Sequence, residues 1–189
     1  MLKKLFLLVI LFFGIFLMPV ASFAADDEGF NWAKGNLSVY IPKDNSYSGM
    51  MTRAFKKWQD NSYGHLTFTF IDKTPADIEV NFPKKTDGSD VGDLGSYSLL
   101  IKGGHIVKAT IDMVPDSNKY SKDMIYTVML HEVGHALGLI DTKRNLGIMH
   151  TPVNEKQDII QYDIFKLFRL NDWSFIGKGN QSDLKNNSK

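Results

Sequence analysis

His131, Glu132, His135, Gly138 and Asp141 stand at the spacing H-E-x-x-H-x-x-G-x-x-D. Each residue type has a chemical use at its offset. On a helix the two histidines are one turn apart, so both imidazoles leave the same face and can share one metal ion. Glu132 follows the first of them, where its carboxylate can reach a water at the metal without binding the metal itself. Gly138 can take the left-handed conformation that ends a helix and turns the chain back. Asp141 then arrives as a third ligand and leaves a fourth position for water, as in a catalytic zinc site rather than a closed structural one. The pattern predicts one zinc ion on His131, His135 and Asp141, with Glu132 as the general base of a hydrolase. A buried helix with two hydrogen-bonded histidines would explain Gly138 but gives Glu132, Asp141 and the later Met149 no common purpose.

The elements that must position these groups can be read from patterning. Residues 36–41 alternate and end at Pro42, a first strand. Met51, Ala54, Phe55 and Trp58 fall at i, i+3, i+4 and i+7, which predicts a helix over about 47–60 with that face inward. Strands follow at 66–71 and 78–82, punctuated by Pro75 and Pro83. After a loop rich in Asp and Gly, 96–101 and 106–113 read as a hairpin about Gly103-Gly104. Ser121 can cap the motif helix, expected over about 122–138. Asn154 and Gln157 resemble a capping box for a last helix with Ile160, Ile164, Leu167 and Phe168 as its stripe. The expected fold is α+β: a mixed, twisted five-stranded sheet with an active-site helix, a second packed helix and a C-terminal helix. Trp32, Trp58 and Phe70 are expected in or near the core, and His65 and His105 on the surface. Gly134 costs its helix about 1 kcal/mol against alanine, which close packing of another segment would explain.

Lys3 and Lys4, the apolar run from Leu5 to Val20 and the small residues at Ser22-Phe23-Ala24 read as a secretory signal peptide over 1–24. An uncleaved membrane anchor is the alternative, for which the run is short. Cleavage leaves a catalytic domain over 25–176 and a disordered tail at 177–189, rich in Asn, Ser, Lys and Gly. Without the leader's two lysines the 21 acidic residues just outnumber the basic ones, and no basic stripe points to nucleic acid. After signal cleavage no membrane partner is expected, and the protein is read as a monomer. The chain has no cysteine, which fits an exported, extracellular bacterial protein.

With these residues in hand, the chain resembles the metzincin (zincin) peptidases, and within them the matrixins with their peptidase M10-type catalytic domain. Met149 lies eight residues after Asp141, which resembles the matrixin methionine turn beneath the zinc. Residues 123–130 resemble the start of the active-site helix, and 154–170 the last helix. Ala54-Phe55-Lys56-Lys57-Trp58, Leu66-Thr67-Phe68 and 76–82 resemble the first helix and the second and third strands. Asp141 departs from the usual histidine, with the snapalysins as precedent. The resemblance implies a zinc-dependent metalloendopeptidase acting on protein or peptide substrates, with His150, Thr151 and Pro152 in the wall of the substrate pocket. His150 also stands as a rival third ligand. Substrate would lie extended along 96–101 as the edge strand. Asp87, Asp90 and Asp93 read as turn-forming residues, with calcium as the alternative that the resemblance offers there. The absence of cysteine excludes the cysteine-switch latency of many matrixins. The alternative is a catalytically inactive, secreted zinc-binding or interaction protein on the same scaffold, against which the intact Glu132 argues.

Overall fold

A computed structural model of the chain describes residues 29–83, 94–116, 118–143 and 146–173. The leader at 1–24, the loop with Asp87, Asp90 and Asp93, and the tail from 177 lie outside the described residues. In chain order the elements are β1 (Asn31–Trp32), β2 (Asn36–Tyr40), α1 (Ser48–Asn61), β3 (Thr67–Ile71) and β4 (Ile78–Asn81). They continue with β5 (Gly95–Lys102), β6 (His105–Met113), α2 (Lys122–Ala136) and α3 (Gln161–Leu170).

The sheet follows the order β1-β6-β4-β2-β3, with β5 pairing β6. The pairings among β2, β3, β4 and β6 are parallel, and β5 joins β6 antiparallel, so the sheet is mixed. Five strands fall where patterning placed them. The two-residue β1 adds a sixth by pairing Asn31 and Trp32 with His105 and Ile106. Gly103 and Gly104 have φ of +59° and +84°, the conformation that a two-residue hairpin turn requires at both positions. Among the described residues β5 has β6 as its sole strand partner, which makes it the edge of the sheet.

The core lies between one face of the sheet and the helices. Leu37 and Val39 of β2 are fully buried and alternate with half-buried Ser38 and Tyr40, so one face of the strand is covered more deeply. Opposite them, Met51, Ala54, Phe55 and Trp58 of α1 are all fully buried, as their 3.6-residue spacing predicts. Trp58 also donates its indole N–H to the Leu130 carbonyl at 2.8 Å, which ties α1 to α2. Gly134 sits in this contact. A Cβ on Gly134 would overlap the Met149 sulfur and approach Trp58 to 3.0 Å. Gly134→Ala should therefore lower stability by roughly 1–3 kcal/mol through overpacking, despite alanine's better helix propensity. Chemical denaturation measures it, and a variant as stable as the parent would contradict this packing.

Three expectations are corrected. The last helix starts at Gln161, not near Asn154. The Asn154 N–H does donate to Gln157 Oε1 at 2.8 Å, but the Gln157 amide donates back to the His150 carbonyl at 2.9 Å. That bond folds the segment against residues 149–151, and the effective cap is Asp163, which accepts the Ile160 N–H at 2.9 Å. Phe70 is 38% exposed rather than core, because β3 ends the sheet; Phe55 meets its ring edge-on, with centroids 6.2 Å apart. His65 is buried rather than on the surface: its ring stacks on Trp173 at 5.1 Å and 11° and meets Phe168 edge-on. His105 is exposed as expected.

Candidate metal centre and active site

α2 begins at Ser121, whose hydroxyl accepts the Met124 N–H at 3.0 Å, as an N-cap should. Residues 127–136 are buried without a break, because the helix is covered by α1 on one side and by β5 and β6 on another. The helix ends in a Schellman turn. Gly138 N–H donates to the His135 carbonyl at 2.8 Å and Leu139 N–H to the Gly134 carbonyl at 3.0 Å. Gly138 has φ of +96°, and a Cβ there would overlap the Phe30 carbonyl oxygen. Trp32 closes the same end by donating its indole N–H to the Ala136 carbonyl at 2.9 Å.

This turn aims the ligand candidates. His135 donates from Nδ1 to the Leu139 carbonyl at 2.8 Å, and His131 from Nδ1 to the Ile148 carbonyl at 2.7 Å. A carbonyl only accepts, so Nδ1 is the donor in each bond, and in the neutral tautomer that leaves Nε2 as the acceptor. Those two Nε2 atoms lie 3.0 Å apart, and Asp141 Oδ1 lies 3.2 Å from each. Three atoms able to act as metal ligands thus converge. A tetrahedral zinc with bonds of about 2.0–2.1 Å holds its ligands roughly 3.3 Å apart, close to this triangle. Among the described residues, no other group of three His, Cys, Asp or Glu side chains could hold a metal. His150 is not in this group.

Burial, together with the neighbouring His131, pushes His135 down to about 4, partly offset by the Leu139 carbonyl and Asp141. In an unfolded chain a histidine titrates near 6.5. Between those values the unfolded state binds more protons, so the metal-free fold should lose stability as pH falls from about 6.5 to 4, by up to ~1.4 kcal/mol per pH unit. Above that window this group contributes no slope. Urea titrations of metal-free protein at stepped pH measure it, and a flat profile across the window would contradict the buried neutral imidazole.

Asp141 is placed by its neighbour. Thr142 N–H donates to the Met149 carbonyl at 2.8 Å and Thr151 N–H to the Thr142 carbonyl at 3.1 Å, a short parallel bridge. The fully buried Asp163 accepts the Ile148 N–H at 3.0 Å, beside the carbonyl that orients His131. Burial pushes the Asp163 carboxyl up, against the N–H groups of Ile160, Ile148 and Met149. Met149 is buried against Gly134, under the motif helix. His150 and Thr151 are half-buried and Pro152 is exposed.

Glu132 is 6% exposed and faces the start of β5. At Gly95 a Cβ would approach its Cγ to 2.7 Å and its Oε1 to 3.0 Å, so only glycine leaves the carboxylate its space. Two residues further on, Tyr97 stacks on the His135 ring with centroids 4.0 Å apart and planes 15° apart. Burial raises its phenol's pKa, helped by the charges of Asp141 and Glu132. Patterning gave no reason to single out Gly95, Tyr97 or Asp163. The available signal was the aromatic on the α2-facing side of the edge strand and an acid at the third position of the last helix.

The chain matches the matrixin family model (peptidase M10) over residues 32–166. It belongs to the matrixin family. The match begins at β1 and ends inside α3, so it takes in the motif helix, the turn at Gly138 and the segment through Met149. No curated protein matches the chain. Matrixins are zinc metalloproteases, and His131, His135 and Asp141 form a group that could hold a metal ion. Among the described residues, no helix is long and apolar enough to cross a membrane.

Proposed function

We propose that this matrixin is a secreted zinc-dependent metalloendopeptidase, exported by a bacterium after cleavage of residues 1–24 and acting on protein or peptide substrates as a monomer. The observation that carries the reading is the triangle of bare acceptor atoms on His131, His135 and Asp141, with Glu132 beside it. Those three side chains would hold one zinc ion, which when bound supplies a Lewis acid for both the attacking water and the scissile carbonyl. Leu139 and Ile148 fix the imidazole tautomers and so keep both Nε2 atoms free of protons. Glu132 takes a proton from the attacking water at its carboxylate and delivers it to the leaving amine nitrogen as the C–N bond breaks. Burial of the glutamate keeps bulk water from competing for that proton. Met149 serves as a non-ligand floor under the two histidines.

Substrate lies extended along the open side of β5 and is read by backbone pairing. His150, Thr151 and Pro152 line the pocket that selects its side chain. The test uses the processed protein on denatured casein. Cleavage is expected, lost with a zinc chelator and regained on adding zinc. A zinc-loaded protein that leaves casein and other unfolded proteins intact would instead make the chain a zinc-binding interaction protein on a matrixin scaffold.

A further inference from the structure

We propose that Tyr97 is a positioning residue for His135, its ring setting the tilt at which the imidazole presents Nε2. The inference rests on reading His135 as a zinc ligand. A single hydrogen bond, Nδ1–H to the Leu139 carbonyl, fixes the tautomer of His135. It leaves the ring free to rock about that contact. Two neighbours remove this freedom. The His131 ring meets it edge-on, with centroids 4.5 Å apart and planes at 89°. The Tyr97 ring lies nearly parallel to it at 4.0 Å.

The stack comes from the topology and not from chance proximity of two loops. Tyr97 pairs with Ile111 across the β5–β6 ladder. Side chains opposite each other on an antiparallel pair share a face. Ile111 is fully buried, so that face is the one turned toward α2. At 40% exposed, Tyr97 is no core filler. Its flat ring is set against the imidazole, and the residue stays partly open to solvent. A flat, rigid cover holds a flat ligand at one tilt; an aliphatic one of similar bulk covers it without defining the angle.

The experiment compares wild type, Tyr97→Phe and Tyr97→Leu. Zinc affinity is measured by competition with a chromophoric chelator, and ligand geometry by the visible absorption of the cobalt(II) forms. Circular dichroism of the metal-free proteins checks that all three are folded, as the half-exposed edge position of Tyr97 leads one to expect. Tyr97→Phe should keep wild-type affinity within about twofold and the same cobalt spectrum. Tyr97→Leu should bind zinc roughly tenfold more weakly, within the range for losing a residue that orients a ligand, and with a shifted cobalt band. Wild-type affinity and spectrum in Tyr97→Leu would overturn the inference. So would an equal loss in Tyr97→Phe, which would place the role in the hydroxyl. Failure of the wild type itself to bind zinc would instead remove the metal reading beneath it.

Discussion

Glu132→Ala is expected to cut peptide-bond hydrolysis by roughly 10²–10⁴-fold, the usual contribution of a positioned acid–base group, while zinc affinity stays close to wild type. Glu132 follows His131 on α2, yet it is not among the three side chains whose acceptor atoms converge. Its carboxylate sits in the space that Gly95 leaves open at the head of the edge strand. On the proposed reading, removing it deletes the proton acceptor and leaves the three metal ligands in place. The variant should also fold, since a buried carboxylate costs free energy to desolvate. Steady-state kinetics on a fluorogenic peptide, with zinc content measured on the same preparation, checks both halves. Activity within tenfold of wild type would contradict the assignment of Glu132 as base. Lost zinc would move it into the ligand set.

Asp141→Ala should weaken zinc binding by more than ~100-fold, since losing merely an orienting partner already costs 10–100-fold. The Asp141 side chain is 54% exposed, so the metal-free fold should melt almost as wild type does, and the loss can be charged to the site. Asp141→His tests the sign of the charge. A neutral third ligand leaves the centre one unit more positive than aspartate does, which makes the water there more acidic. Asp141→His should therefore regain zinc and shift the acidic limb of its pH–rate profile below that of the wild type. Superimposable profiles would contradict this.

The convergence of His131, His135 and Asp141 was legible because their spacing is itself the geometry. A helix makes i and i+4 neighbours, and a glycine two residues past the helix end makes the turn, here with φ of +96° at Gly138. The apolar face of α1 and the Gly103-Gly104 hairpin were legible for the same local reason. What escaped depends on contacts distant in sequence. The start of α3 was misplaced because Asn154 and Gln157 form half of a cap while Gln157 answers to His150. His65 is buried where Phe168 and Trp173, far along the chain, pack against its ring. Phe70 keeps an alternating pattern on a strand that turns out to be the edge opposite β5. Tyr97 and Asp163 meet the His135 ring and the Ile148 N–H, contacts that no local period reveals.

The most direct measurement is zinc K-edge X-ray absorption on protein loaded with one equivalent of the metal. The account predicts two imidazole nitrogens and a carboxylate oxygen at about 2.0–2.2 Å with one further light-atom ligand, and loss of the carboxylate shell in Asp141→Ala. A spectrum with three imidazoles, or one unchanged by that substitution, would contradict it.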